Sequence, residues 1–209
     1  MTAGQTAAAV AALALSACAL NRAPLPQTTE GDWAVQRDAS TRRAFLYDGL
    51  NHRATGTATF LSPAVREARA RRLGDWFGWT PAELEERLAQ ERAEAEKGEE
   101  LVLSFYTAER ADDDLDAPRS AWRVAVKLDG TDVVSSRVTA IERDATLLVL
   151  FPYIGPFDTA YRVLLPHPPA GPLAGRGFVF EIASARGKVS MDFGAPNGVI
   201  TPQQPAPPP

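Results

Sequence analysis

The sequence predicts a mainly β domain, built as an antiparallel β-sandwich with a two-helix insertion or flank. After Gly98, apolar residues recur at every second position in several short segments, which is typical of half-buried strands. Turn dipeptides such as Asp129-Gly130 and Arg186-Gly187 separate these segments. Short strands at this spacing favour a sandwich. An immunoglobulin-like arrangement is one form it can take, although the Cys-Trp-Cys pattern of true immunoglobulin domains is absent.

The composition fits one globular domain with flexible ends. A chain of 209 residues with 45% hydrophobic residues is long enough for one sizeable core. Its net charge of -4 comes from mixed signs without a basic face, so nucleic acid is not an expected partner. The single cysteine, Cys18, excludes an intrachain disulfide and a zinc site built from cysteines.

The first residues have the pattern of an export signal. From Thr6 to Leu15 the chain is almost wholly Ala, Val and Leu, which suits a signal-peptide apolar region and is too short for a permanent membrane helix. The run ends in Leu15-Ser16-Ala17-Cys18. This segment resembles bacterial lipoprotein precursors, whose lipobox places Leu and two small residues directly before the cysteine that is acylated.

The resemblance implies a signal peptide at residues 1–17, cleavage before Cys18, and a membrane anchor of acyl chains, palmitate among them, on that cysteine. Several acyl chains anchor a protein stably where a single chain binds only marginally. Ala19, rather than Asp, implies sorting to the outer membrane, with the domain facing the periplasm. The alternatives are an alanine-rich signal peptide with a chance cysteine and an N-terminal helix with a buried cysteine. The lack of Lys or Arg before the apolar run departs from the usual pattern.

The two ends of the mature chain lack apolar periodicity. Residues 18–32 are predicted to be a lipidated, flexible tether. Residues 194–209 are rich in proline and predict a disordered or polyproline II tail. Pro202 and Pro205 have Pro-x-x-Pro spacing, but that spacing arises easily in such a segment. The β-rich domain is therefore expected at residues 33–193.

The predicted strands begin with a hairpin that turns at Asp48-Gly49, between an aromatic run and a threonine-rich run. Further strands follow the helices and alternate apolar with polar residues. Together these strands cover residues 42–48, 53–61, 101–106, 122–128, 133–142, 178–183 and 188–193.

A helical pair is expected at about residues 62–97. Ser62 followed by Pro63 is typical of a helix start, since the serine caps the first turn and the proline needs no hydrogen bond there. Thr80 and Glu83 form a capping box that opens the second helix.

The two helices differ in charge, with arginines on the first and glutamates on the second. One interpretation is that the first helix and the aromatic residues Trp76, Phe77 and Trp79 contact an anionic membrane surface or a partner. The interpretation we favour is a helical hairpin whose charges complement one another while the aromatic side chains enter the core. The arginines concerned are Arg66, Arg69, Arg71 and Arg72.

A buried hairpin is also predicted, with strands at residues 147–151 and 161–165. Short apolar runs bounded by Pro and Gly suit strands covered on both faces, although periodicity alone does not distinguish them from a helix. The turn carries Tyr153, Ile154 and Phe157. A stiff aromatic turn can present a protein-binding surface, or its side chains can fold back and cap the core, which we favour.

No catalytic motif is visible. His52 and His167 lie in predicted loops without a partner at a motif spacing, so packing or solvated histidines are favoured over a triad or metal site. The acidic loop of Asp112, Asp113, Asp114 and Asp116 has oxygens for a hard cation such as calcium. It lacks the glycine and downstream glutamate of an EF-hand, so a solvated loop is favoured. No cofactor is expected.

These observations predict a lipid-anchored periplasmic protein that acts as a binding or envelope-assembly module rather than an enzyme. Its expected partners are the membrane, through the lipid, and another envelope protein. The alternative is an envelope hydrolase, or a carbohydrate- or calcium-binding domain, that uses His52, His167 or the acidic loop. A cleft that gathers a histidine and carboxylates favours that alternative, whereas a solid core with shallow grooves favours the binding module.

Overall fold

The computed structural model describes residues 31–194. This part of the chain contains four α-helices, a short 3-10 helix and nine β-strands. The helices are α1 (Gly31–Ala39), α2 (Pro63–Phe77), α3 (Pro81–Ala95) and α4 (Ala145–Leu150), and the 3-10 helix is Arg110–Asp112. The strands are β1 (Thr41–Asp48), β2 (Asn51–Phe60), β3 (Glu99–Thr107), β4 (Arg123–Leu128), β5 (Thr131–Val134), β6 (Arg137–Ala140), β7 (Thr159–Leu165), β8 (Val179–Ser184) and β9 (Gly187–Asp192).

The strands form two antiparallel sheets. The first sheet has the order β1-β2-β3-β7-β6 and the second has the order β5-β4-β8-β9. The prediction of a mainly β antiparallel sandwich with a helical pair is confirmed. The first three strands lie side by side in one sheet, whereas an immunoglobulin domain places its third strand in the opposite sheet. The immunoglobulin likeness is therefore one of layers and not of strand order.

The main core fills the space between the two sheets. From β3, the side chains of Leu101, Leu103 and Phe105 point into it, and from β8 those of Phe180 and Ile182 do so. All five are fully buried. The alternation that predicted these strands arises because successive strand residues point to opposite faces.

Three helices cover part of the outer face of the first sheet. Trp33 of α1, Val65 of α2 and Leu150 of α4 belong to a second apolar cluster, which also contains Val102 of β3. The indole of Trp33 packs edge-on against Phe151, with the ring centroids 5.6 Å apart. The domain thus has three layers, in which the first sheet lies between the helices and the second sheet.

The predicted helical pair is present as α2 and α3. Ser62 caps α2, because its hydroxyl accepts a hydrogen bond from the Val65 N–H. The capping box of α3 is complete: Glu83 N–H donates to Thr80 Oγ1 at 3.3 Å and Thr80 N–H donates to Glu83 Oε2 at 2.7 Å. Two backbone donors that have no partner inside the helix are satisfied in this way.

The predicted strand at residues 147–151 is wrong, because this run forms most of α4. The Asp144 carboxylate caps the helix by accepting from Leu147 N–H at 2.6 Å, and Phe151 N–H donates to Leu147 O at 2.8 Å. The second predicted strand, at 161–165, is correct as part of β7, but it pairs with β3 and β6. A short apolar run that packs against a sheet looks the same in sequence whether it is a strand or a helix.

Two other boundaries differ from the prediction. Among the described residues, α1 begins at Gly31, so its first two residues fall inside the segment predicted as tether. Residues 133–142, predicted as one strand, contribute to two strands in different sheets. The chain crosses between the sheets at Ser135 and Ser136, whose N–H groups donate to Val124 O and Leu164 O respectively.

The predicted signal peptide, the lipidation site Cys18, most of the tether and nearly all of the Pro-rich tail lie outside the described residues 31–194. Among the helices in that range, none is long and apolar enough to cross a membrane.

Candidate functional site

A β-bulge brings several aromatic residues together at the turn end of β1 and β2. Phe45 is paired with Thr55, which is itself paired with Tyr106 on β3. The register then shifts, so that Tyr47 is opposite His52 and Arg53 is the extra residue of β2. Because such a bulge turns the next side chain to the other face, His52 lies beside Tyr47 and Tyr106 instead of pointing into the core.

The rings contact one another on the outer face of the first sheet. The imidazole of His52 stacks on Tyr106, with centroids 5.4 Å apart and planes inclined by 9°. Tyr47 lies 5.2 Å from His52, and Phe45 lies 6.3 Å from Tyr47. The guanidinium carbon of Arg43 is 4.9 Å from the centroid of the Phe45 ring. We call these five residues, Arg43, Phe45, Tyr47, His52 and Tyr106, the aromatic surface.

Hydrogen bonds fix the orientation of the histidine in this surface. His52 Nε2 lies 2.7 Å from Thr55 Oγ1 and 3.0 Å from Ala54 O. Since a carbonyl oxygen only accepts, we assign the proton of a neutral imidazole to Nε2. The Nδ1 atom then carries the lone pair and is a hydrogen-bond acceptor for a ligand.

The aromatic surface is open to solvent, since the helices cover the other end of the sheet. Tyr47 is 52% exposed and Leu50, at the tip of the β1–β2 turn, is fully exposed. Phe157, which is 74% exposed, lies in the loop that leads to β7. This loop is tied to the same face, because Ser104 Oγ donates to Asp158 Oδ2 at 2.6 Å. Apolar side chains gathered outside the core mark interaction sites more often than single ones do.

The turn predicted to bind a partner is divided between core and surface. The Tyr153 hydroxyl lies 2.8 Å from Thr59 Oγ1 and donates to Val102 O at 3.2 Å, and its burial raises the pKa of the phenol. Ile154 is only 6% exposed. Of the three residues of this turn, Tyr153 and Ile154 pack in the helix-side core and Phe157 is exposed.

The second histidine lies at the opposite end of the first sheet. His167 Nδ1 is 2.8 Å from Glu99 Oε1, and Nε2 is 3.2 Å from Glu96 O. Glu99 Oε1 also accepts from the Leu173 N–H. These residues border a cleft of about 410 Å³, so one cleft does gather a histidine with carboxylates. Its lining residues, all in the described range, include no Ser, Thr, Cys or Tyr that could act as a nucleophile beside the imidazole.

The acidic loop has a separate partner for each of three carboxylates. Asp112 forms an ion pair with Arg186 at 2.8 Å, and Asp114 accepts from Ser120 Oγ at 2.9 Å. Asp113 accepts from the hydroxyls of Thr159 and Tyr161. Burial, together with this hydrogen bond, raises the pKa of the Tyr161 phenol. The remaining carboxylate, that of Asp116, is exposed.

These carboxylates do not converge on one point. Within residues 31–194, no group of three or more His, Cys, Asp and Glu side chains is arranged to hold a metal ion.

The charges of the helical pair face each other, as the favoured interpretation expected. Arg66 and Arg69 of α2 both bind Glu91 of α3. The aromatic residues beside them are only partly in the core, since Trp76 is half-buried while Phe77 is exposed and stacks on Trp79.

Sequence reasoning missed Arg43, Phe45, Tyr47 and Tyr106 as site residues. One signal was present: on β1, aromatic residues occupy alternate positions while Ala44 and Leu46 supply the core face. A strand with apolar residues on both faces either is covered on both faces or leaves one apolar face exposed to solvent. Sequence periodicity does not distinguish the two, because it does not show which end of the sheet the helices cover.

Comparison of the chain with protein-family models, with curated proteins and with solved structures finds no match.

Proposed function

We propose that this chain is a lipid-anchored envelope protein whose domain binds another envelope protein through the aromatic surface and catalyses no reaction. The observation that carries the proposal is the open cluster of rings and the arginine on the outer face of the first sheet. Tyr, Phe and Arg are enriched in protein interfaces, where they provide most of the binding free energy.

The extent of the exposed apolar area favours a protein partner over a small polar ligand. Leu50, at the tip of the β1–β2 turn, is fully exposed, and Phe157, in the loop bound to Ser104, is 74% exposed. Covering all of these side chains at once requires a partner surface larger than a single sugar or ion. The rings rest on strands instead of a long loop, so little conformational entropy is lost on contact.

The proposed location follows from the leader. The sequence from Leu15 to Cys18 has the lipobox pattern, and acylation of Cys18 would hold the domain at a membrane surface. Ala19 favours the outer membrane, facing the periplasm. A lipid on Cys18 would keep the domain close to that surface, where it meets other envelope proteins.

Photo-crosslinking in intact cells tests the proposal. A photoreactive phenylalanine analogue is placed at Tyr47 of the full chain, and at Val134 as a control that is also exposed but lies on the second sheet. We expect one stoichiometric envelope protein to crosslink from position 47 and not from position 134. Recovery of the chain alone from position 47, or the same adduct from both positions, contradicts the proposal.

A second candidate, an envelope hydrolase or small-ligand protein, rests on the cleft beside His167 and Glu99. Both nitrogens of this imidazole already face acceptors, so the ring ties the loop after β7 to the α3–β3 junction. A His167→Gln variant of the full chain separates the two roles. Loss of stability with unchanged crosslinking from position 47 supports a structural histidine and the binding module.

A further inference from the structure

A cleft of about 390 Å³ lies between the helices and the outer face of the first sheet, away from the aromatic surface. This volume is within the range of small-molecule sites. Helices α2 and α3 form one wall, and the other is formed by α4 and the segment before it. Its apolar lining consists of Leu73, Val102, Ile141, Leu147, Leu150 and Phe151.

Three arginines converge on one buried glutamate at the polar side of this cleft. Glu91 accepts from Arg66 at 3.2 Å, from Arg69 at 3.0 Å and 3.1 Å, and from Arg87 at 2.9 Å. The Glu91 and Arg66 side chains are almost fully buried. Burial lowers the pKa of Arg69, although Glu91 opposes that change.

A second buried glutamate binds two arginines of the same cleft. Glu100 accepts from Arg66 at 2.6 Å and from Arg162 at 2.7 Å and 3.1 Å. Four guanidinium groups therefore surround two carboxylates. The more deeply buried Arg66 and Arg69 balance the charges of Glu91 and Glu100, and Arg87 and Arg162 supply two further positive charges at the mouth of the cleft.

Three further carboxylates lie at the rim and offset positive charge there. Glu94, Glu142 and Asp144 also line the cleft, but all three are exposed. Glu94 forms an ion pair with Lys97, and Asp144 caps α4.

Two of the arginines remain accessible to a ligand. The side chains of Arg87 and Arg162 are each 43% exposed. The Nε atom of Arg87 is buried and has no hydrogen-bond partner within the described residues. A buried donor without an acceptor is costly, so native structures usually provide one.

We propose that this cleft binds a small amphipathic anion, whose carboxylate or phosphate head lies among Arg69, Arg87 and Arg162 and whose apolar body lies on Leu73, Ile141 and Leu147. The anionic head accepts hydrogen bonds from the half-exposed guanidinium groups of Arg87 and Arg162, and hydrogen bonds between ions are stronger than those between neutral groups. The three apolar side chains are only partly buried, so the body of the ligand removes them from water.

Titration calorimetry with eight-carbon amphiphiles tests the proposal on the full chain carrying Cys18→Ser, which cannot be acylated. We expect octanoate or octyl phosphate to bind saturably, one per chain, and the tighter of the two identifies the head. Octanol and octyltrimethylammonium are expected to bind at least roughly tenfold more weakly, since neither offers an anion to the arginines. Equal binding of octanol, or no saturable binding of either anion, overturns the proposal.

Matched variants locate the bound ligand. Arg87→Gln and Arg162→Gln are each expected to weaken anion binding roughly tenfold, the effect of losing one charge-assisted hydrogen bond. Arg92→Gln is the control, because Arg92 is on the same helix but pairs with exposed Glu85 outside the cleft. Circular dichroism and the unfolding midpoint verify that each variant is folded. Wild-type affinity in both cleft variants overturns the proposal, and if one variant does not fold, the other decides.

Discussion

His52 stacks on Tyr106, with their ring centroids 5.4 Å apart and their planes inclined by 9°. In a regular strand His52 would share a face with Ala54, whose side chain is fully buried in the main core. Arg53 is the extra residue that turns His52 to the outer face. One inserted residue therefore adds a fourth ring to the surface through which we propose that this domain binds its partner.

Truncation of the most exposed ring of that surface should weaken partner binding without unfolding the domain. For Tyr47→Ala we expect a loss of about 2 kcal/mol in binding, the effect of removing a hot-spot tyrosine. Its unfolding free energy should change by less than about 0.5 kcal/mol, because the ring is half exposed. For these variants the photoreactive analogue is placed at the fully exposed Leu50, so that crosslinking yield reports partner binding, and urea unfolding measures stability.

Phe77→Ala is the matched control, since Phe77 is an equally exposed aromatic residue on α2. Undiminished crosslinking in Tyr47→Ala, or an equal loss in Phe77→Ala, would show that the aromatic surface is not the interface.

The two aromatic residues of the β7 loop should behave differently when truncated. Tyr153 packs in the helix-side core and its hydroxyl bonds to Thr59 and Val102, so Tyr153→Ala should cost roughly 3 kcal/mol of unfolding free energy. Phe157 is exposed, so Phe157→Ala should change the unfolding free energy by less than about 0.5 kcal/mol. Urea unfolding of both variants provides the comparison. A stable Tyr153→Ala domain would restore the view that this turn points outward.

Loss of the buried glutamate on β3 should strongly destabilise the domain. In Glu100→Gln, the buried Arg66 keeps only Glu91 as a carboxylate partner, and Arg162 loses its ion pair with Glu100. We expect the free energy of unfolding to fall by about 3 kcal/mol. Glu85→Gln is the control, because it breaks only the exposed pair with Arg92 and should cost less than about 1 kcal/mol. Similar unfolding midpoints for the two variants would contradict the importance of the buried network.

Glu100 should also make the free energy of unfolding depend on pH. Burial by itself raises the pKa of Glu100, but the hydrogen bonds from Arg162 and the charge of Arg66 outweigh it, so the pKa lies below the ordinary value of 4.5. A carboxyl group of this kind stabilises the folded state above its unfolded pKa, and the contribution is lost as the pH falls through the folded pKa.

The difference in unfolding free energy between wild type and Glu100→Gln should therefore be largest near neutral pH and shrink below about pH 4.5. Urea unfolding of both proteins across that range measures it. A difference that stays constant with pH would mean that the Glu100 charge contributes nothing to stability.

Local signals in the sequence correctly predicted the helix caps and the first hairpin turn. The Thr80–Glu83 capping box, the Ser62 cap and the Asp48-Gly49 turn each act within a few residues, and each is present as predicted. The strand alternation of β3 and β4 was also visible in the sequence, because the side chains that fill the main core recur with a period of two.

The sequence could not assign the run from Leu147 to Phe151. Its residues are apolar in either conformation. The helix forms because Asp144 caps it and because Leu150 and Phe151 pack with α1 and α2 in the helix-side cluster. The sequence could not predict the charged cleft either, because its residues come from four elements that are far apart in sequence: Arg66, Glu91, Glu100 and Arg162.

By itself, then, the sequence determined an alternating β framework, a capped helical pair and the lipobox from which we infer an anchor. Only the tertiary structure decided which end of the first sheet the helices leave exposed and which charged side chains form ion pairs between the helices and that sheet. The physical reason is that caps, turns and alternation depend on neighbours along the chain, whereas exposure and ion pairing depend on neighbours in space.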